Sequence, residues 1–398
     1  MANVVYDAAM STALLSTVPQ QQQQDQSVPA FVQNWTTPST LLTTKAKTKR
    51  FKIKRIVERP DLLLDFPTVF RGFLPPPEAT HVVDPFATPE SLDHLRTLRL
   101  PLEEVEEDAF LSPPSYEGAL VVTVVPHGTA TDAEGAAIVD KYKENDFYKC
   151  FLRSALASGC AGLWVCVPLS FFLGLNGTGL RRDFLSQFRV VAASLFHGNV
   201  LRYDACSYVS VCFHRSATPL TEQVVPWTLW ASGTTTVAAV AERRHFPIRK
   251  ADDWIFCADL YSLRRNPAIK VTRFLSGNPV PDDTQVTGLV LHAIDGGALN
   301  ARIRMRVDRA KQYGSATSKN VTTLCIKGRH LTEAQQEQVA EAWTLLIEEL
   351  RQERWGLFLS ALDDQTTYSR KRIGYKLAFL LTEHVVSTLL ESGAITDS

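Results

Sequence analysis

The chain has 398 residues, 45% of them hydrophobic, enough to bury one large core or two moderate ones. Its 42 basic residues balance 42 acidic ones, which excludes a global field that would draw it onto nucleic acid or an anionic membrane, so any such binding must rest on local patches. Seven cysteines with no CxxC pair argue against a structural zinc site, no apolar run reaches bilayer length, and the first residues lack the basic start and apolar core of a signal peptide.

In chain order, residues 1–44 hold the tract Gln20 to Gln24 among Ser, Thr and Pro, a composition that cannot offset the entropy of ordering. This predicts a disordered arm, open to protein partners. The basic run Lys45 to Arg55 reads as an edge strand guarded by lysines, or as a nuclear-import or phosphate-binding segment. Leu62 to Pro77 ends in three prolines, a stiff connection. His81-Val-Val then leads into Asp84-Pro85-Phe86-Ala87, and the acidic stretch Leu102 to Phe110 reads as a solvated helix or loop.

The segment from Ala119 to Phe213 carries the clearest pattern. Ala119 to Val125 is a buried strand that ends at Pro126-His127-Gly128, and Ile138 to Leu156 has the apolar spacing of one helix, stopped by Ser158-Gly159. A strand over Ala161 to Val167, a helix over Leu180 to Phe188, and strands over Val190 to Leu195 and Tyr208 to Phe213 follow. Apolar runs alternating with amphipathic helices are βαβ units of a largely parallel sheet. Cys166 and Cys212 fall inside these strands, as small core residues of a reducing compartment do.

This order resembles adenine-N6 DNA methyltransferases. In that family the cofactor loop commonly reads Asp-Pro-Phe/Cys-Ala-Gly-Ser-Gly, and Asp84-Pro85-Phe86-Ala87 matches its first half. The catalytic tetrapeptide Asn/Asp-Pro-Pro-Tyr/Phe corresponds in place to Val124-Val125-Pro126-His127. The resemblance implies S-adenosylmethionine as cofactor, Asp84 to Ala87 as its contacts, a carboxylate from the Leu102 to Phe110 stretch on its ribose or adenine, and Val124 to His127 at the catalytic position. Two departures count against turnover. Thr88, Pro89 and Glu90 replace the glycines, which raises the steric cost of a close approach and removes an amide donor. Val124 has no side-chain acceptor for the exocyclic amine of a flipped base, although the Val125 carbonyl and the flat ring of His127 remain.

Beyond Phe213, Arg243 to Lys250 interleaves basic and aromatic residues, which suits phosphates and bases or simply a surface loop. Gly288 to Ile294 and Ala301 to Val307 read as strands; the second alternates Arg302, Arg304 and Arg306 on one face with Ile303, Met305 and Val307 on the other, a phosphate-facing surface. After a strand at Thr322 to Ile326, the Thr332 to Gln335 capping box opens a helix that runs to about Arg354. The cluster Arg370-Lys371-Arg372 precedes a last helix through Leu390. Thr317, Ser318, Asn320, Leu357-Phe-Leu359 and Arg370 to Ile373 make this third similar to a region of giant-virus methyltransferase-like proteins.

The expectation is an α/β protein: a disordered arm over 1–44, a Rossmann-like methyltransferase-type sheet domain over 45–216, and a mixed β/α C-terminal region over 217–398 that binds nucleic acid, DNA in preference to RNA, through Arg302, Arg304, Arg306, Arg370, Lys371 and Arg372. The favoured reading is a weakened or inactive methyltransferase relative. The alternatives are an active enzyme completed by His127 and a residue outside the tetrapeptide, and a structural or assembly protein, for instance of a large DNA virus. The expected location is cytoplasm or nucleus, or a virion, with no membrane partner.

Overall fold

The computed structural model describes residues 64–396 except 106–107, 127, 129, 131, 175–176, 197–207, 233–236, 257, 295–302, 319, 355–359 and 362–370. The expected arm and the basic run at 45–55 lie outside the described residues. The chain forms two compact units that divide after Phe256.

The first unit is a Rossmann-like α/β layer. Its strands are β1 (His81–Val83), β2 (Leu102–Glu103), β3 (Ala119–Val124), β4 (Gly162–Pro168), β5 (Phe188–Phe196), β6 (Tyr208–Arg215), β7 (Glu222–Ser232) and β8 (Val237–Arg249). They lie side by side in the order β2-β1-β3-β4-β6-β5-β7-β8. Pairing is parallel from β2 through β4 and between β5 and β7, whereas β6 and β8 run antiparallel to their neighbours. β3 and β4 are buried at every position, as central parallel strands covered on both faces must be. Gly162 opens β4 because a Cβ there would stand 2.8 Å from the Phe213 carbonyl oxygen.

The unit's helices include three opened by side-chain caps, at Thr88, Asp132 and Asp146. The helices are α1 (Phe66–Val69), α2 (Pro89–Leu95), α3 (Ala133–Tyr142), α4 (Phe147–Ala157), α5 (Ser170–Leu173) and α6 (Thr178–Leu185). The single helix expected over 138–156 is two: Lys143 turns left-handed at φ 56°, and Asp146 caps the next helix by accepting the Tyr148 N–H. On one face of the sheet Phe66, Val69, Phe70 and Phe73 pack on Val122, Trp164, Tyr208 and Cys212. Elsewhere in the unit Phe184 stacks on Phe188 with centroids 4.5 Å apart and meets Phe213 edge-on at 5.0 Å. Each such side chain, fully buried, contributes about 1.5–3 kcal/mol. Cys166 and Cys212 are fully buried, and desolvation pushes both thiols up to about 12.

Residue 216, where this domain was expected to end, falls between β6 and β7 of one sheet, and the unit runs on to Phe256. Pro226 and Pro247 do not prevent this: Pro226 precedes the β5 ladder, which begins at Trp227, and Pro247 lies on β8, the end strand in the order.

The second unit holds an antiparallel sheet, ordered β11-β10-β12-β9, of β9 (Lys270–Arg273), β10 (Thr284–His292), β11 (Arg304–Val307) and β12 (Val321–Lys327), with a two-residue ladder, β13 (Ser360–Ala361) against β14 (Lys371–Arg372). Its helices are α7 (Glu333–Glu353) and α8 (Tyr375–Glu391). The Thr332–Gln335 capping box opens α7 as expected, and Val339, Trp343, Leu346, Ile347 and Leu350 are buried along it. The Gln336 side chain accepts the Gly288 N–H at 2.7 Å and Thr344 Oγ1 accepts the Met305 N–H at 3.1 Å, fixing α7 to β10 and β11. Among the described residues no helix is long and apolar enough to cross a membrane.

Candidate functional site

From β1 the chain moves outward to β2, and from β3 it moves the other way to β4, so the strand order reverses between β1 and β3. In an open α/β sheet the crevice beyond the carboxyl ends of such a strand pair is where ligands bind. The register aligns Val83 with Val121 in parallel, which brings the turn after Asp84 and the turn at Pro126 to the same edge of the sheet. The two short motifs singled out in the sequence are therefore neighbours.

The first turn folds on itself. Asp84, 2% exposed, accepts the Phe86 N–H on Oδ1 at 3.0 Å, the local turn that aspartate favours. Pro85 is buried, Ala87 is exposed, and Phe86 goes into a ring cluster with Phe110 at 5.4 Å and Phe151 at 5.7 Å. Phe110 in turn meets Phe147 at 6.0 Å. Tyr116 is fully buried beside this cluster, and desolvation first, then its neighbours Tyr142, Cys160, Asp84 and Asp108, push its hydroxyl far above its ordinary range.

The acidic stretch divides among separate tasks. Leu102 and Glu103 form β2, and the Glu103 carboxylate pairs with His81 Nε2 at 3.2 Å. Glu104 lies 3.4 Å from Arg96, and Asp108 accepts the backbone N–H groups of Phe110 and Leu111. The Phe110 carbonyl receives both Lys141 Nζ at 2.8 Å and the Tyr142 hydroxyl at 2.7 Å, so α3 clasps this turn. Sequence reasoning missed that clasp, whose partners stand over thirty residues apart.

At the second turn Val124 and Val125 are 0% and 1% exposed. Val124 belongs to the core cluster with Trp164 and Cys166. Pro126 follows, buried, and His127 lies outside the described residues. Gly128 is tied back to the helix beyond it: its N–H goes to Asp146 Oδ1 at 3.0 Å, and its carbonyl accepts the Phe147 N–H at 3.1 Å.

Solved structures similar to this chain include methyltransferases. A modification subunit of a putative type I restriction enzyme from Vibrio vulnificus aligns at 12% identity over 45% of this chain and 49% of that one, with a TM-score of 0.33. A putative class I S-adenosylmethionine-dependent methyltransferase from Listeria monocytogenes aligns at 10% identity over 40% and 61%, with a TM-score of 0.28. The type I restriction enzyme EcoKI M protein aligns at 13% over 45% and 48%, also with a TM-score of 0.28. Each match spans less than two thirds of the other chain. No family model and no curated protein matches the sequence.

The residues after β1 do not fit S-adenosylmethionine in the manner of a glycine loop. An anionic or carboxylate-bearing ligand at a helix start needs free N–H groups. Here Pro89 has none, the Ser91 N–H is bonded to Thr88 Oγ1 at 3.3 Å, the Leu92 N–H goes to the Thr88 carbonyl, and Ser91 Oγ accepts the Thr88 N–H at 2.9 Å. Phe86 is packed into the cluster below.

Of the expected nucleic-acid residues, Arg304 and Arg306 share one face of β11, with Ile303 and Met305 buried on the other. Arg302 and Arg370 lie outside the described residues. Lys371 and Arg372 form β14.

Proposed function

We propose that the chain is a methyltransferase-like protein related to adenine-N6 DNA methyltransferases, with its catalytic step weakened or lost, that binds nucleic acid, DNA rather than RNA. The observation that carries this reading is the pair Val124 and Val125 at the carboxyl end of β3. They stand beside the Asp84 turn, at the switch point, with both side chains buried and neither able to accept a hydrogen bond. An exocyclic amine brought to positions 124 and 125 would find main-chain carbonyls but no acceptor on either side chain. Leaving it unpaired costs orientation and desolvation together, several powers of ten in rate.

The test is equilibrium dialysis with labelled S-adenosylmethionine, followed by transfer to adenine-containing DNA. Millimolar affinity or none, with no transfer, agrees with the reading. Micromolar binding abolished by Asp84→Ala, together with methyl transfer, would overturn it. A second reading, a non-catalytic platform that keeps the fold, is favoured by the Thr88–Ser91 capping box, which takes up the Thr88 and Ser91 N–H groups. DNA retention that weakens with salt distinguishes the nucleic-acid-binding relative from a platform that binds only protein.

A further inference from the structure

We propose that His292, Arg304 and Arg306, on one face of the β10–β11 pair, form a site for a phosphate group of a nucleic-acid strand. This rests on the nucleic-acid reading above and assigns the contact to particular atoms. The register sets His292 directly across from Arg304 and Val290 across from Arg306. Residues directly opposite on antiparallel strands share a face with Cβ atoms about 5 Å apart, and residues two apart on a strand share it too. Two guanidinium groups and an imidazole therefore rise side by side, an arrangement that is unfavourable by itself because like charges repel.

The neighbouring groups compensate that charge only in part. Asp308 is the carboxylate on this face, and it serves Arg306: Arg306 Nη2 lies 3.1 Å from Asp308 Oδ2 and 3.2 Å from the Tyr313 hydroxyl, which itself donates to Asp308 Oδ2 at 3.3 Å. Lys311 Nζ stands 5.1 Å over the Tyr313 ring, adding one more cation nearby. Arg304 has no carboxylate within ion-pair distance among the described residues. Its Nε, the Nε of Arg306 and His292 Nε2 are buried and without hydrogen-bond partners among the described residues. Three nitrogens able to donate, gathered on one face, match an anion with several acceptor oxygens.

The imidazole reports on the site. Burial holds His292 below its ordinary value, Arg306 and then Arg304 push it further down, and Asp308 opposes them. A phosphate oxygen brought against Nε2 stabilises the protonated ring, so binding takes up a proton and tightens as pH falls toward 6.

The experiment uses the full chain and a fluorescent single-stranded DNA oligonucleotide, with affinity measured against salt at pH 8 and pH 6. Arg304→Gln is expected to lower the slope of log affinity against log salt by about 1, and Arg304→Lys to keep it. His292→Gln is expected to leave affinity at pH 8 nearly unchanged and to remove the gain at pH 6. In the wild type, oligonucleotide should raise the His292 pKa, read by NMR on ring-labelled protein, and inorganic phosphate at equal concentration should do so less. Firm DNA binding whose slope ignores Arg304→Gln overturns this site and leaves the nucleic-acid reading standing. No oligonucleotide binding at low salt overturns both, and a His292 response to inorganic phosphate alone in that case reassigns the site to free phosphate.

Discussion

Gly128, four residues past the end of β3, gives its backbone N–H to the Asp146 carboxylate at 3.0 Å while the same carboxylate caps α4. One side chain thus fixes both the turn at the candidate site and the start of the helix that packs beside it. Asp146→Ala should cost about 2–3 kcal/mol, combining a lost cap with a lost tether. Asp146→Asn, which keeps an acceptor, should cost about 0.5 kcal/mol. Urea unfolding of the three proteins measures this, and equal loss in Asn and Ala would mean that charge rather than the hydrogen bonds matters.

Giving position 124 a side-chain acceptor should not by itself confer S-adenosylmethionine binding. Val124→Asn sets an amide into a position with no exposure, among Trp164, Cys166 and other core residues. The cost is about 3 kcal/mol, from the lost apolar side chain and the buried amide together. Because the Thr88–Ser91 box still occupies the Thr88 and Ser91 amides and Pro89 has none, no gain in S-adenosylmethionine affinity is expected. Dialysis on the folded variant checks this, and micromolar binding would show that the acceptor alone was missing.

Stability should fall in mild acid. Burial holds His94 and His214 below 6.5; Asp65 partly offsets it at His94, and the Leu74 carbonyl, 3.2 Å from His214 Nε2, does so at His214. His292 shifts the same way. The sign follows from proton counting: with folded values depressed, the unfolded chain protonates first, near 6.5, and takes up more protons than the native state. Stability is thus undiminished above about pH 7 and declines as pH falls through 6.5 toward the folded values. Denaturation midpoints at pH 7.5 and 5.5 test it, and His214→Gln should make the decline shallower.

The parts of this fold that show in the sequence are those whose cause is local. β3 and β4 read as continuous apolar runs because both their faces are covered, and the start of α7 is spelled out by Thr332 and Gln335. The break between α3 and α4 was also written locally, in Asp146 before Phe147, but the apolar spacing across it masked the cap. β8 was harder. Arg243 to Arg249 alternates like a surface loop, and only its register with β7 makes it a strand. For the site, the order of the Asp84 and Pro126 turns was legible because the βαβ pattern fixes strand direction. The closing of that site was not, since Phe86 meeting Phe110 and Phe151, or Lys141 and Tyr142 meeting the Phe110 carbonyl, depends on side chains far apart in the chain.

Arg181 ties three backbone carbonyls from two segments of the first unit together and should be among its most sensitive cations. It is 1% exposed; its Nη1 donates to the carbonyls of Phe171 at 2.8 Å and Gly174 at 2.9 Å, and its Nε donates to that of Asp253 at 2.7 Å. Burial lowers it to about 10, so it is charged at neutral pH. Arg181→Ala leaves three carbonyls short at once, and even with water entering the space the loss should be about 3–5 kcal/mol. Arg181→Lys keeps the charge, but an ammonium on one stem cannot reproduce the planar fork that spans all three, so about half that loss is expected. Arg181→Met separates volume from hydrogen bonding: if it matches Ala, the carbonyls carry the effect, and if it matches wild type, the side chain serves only to fill space. Thermal and urea unfolding of the three variants distinguish these outcomes.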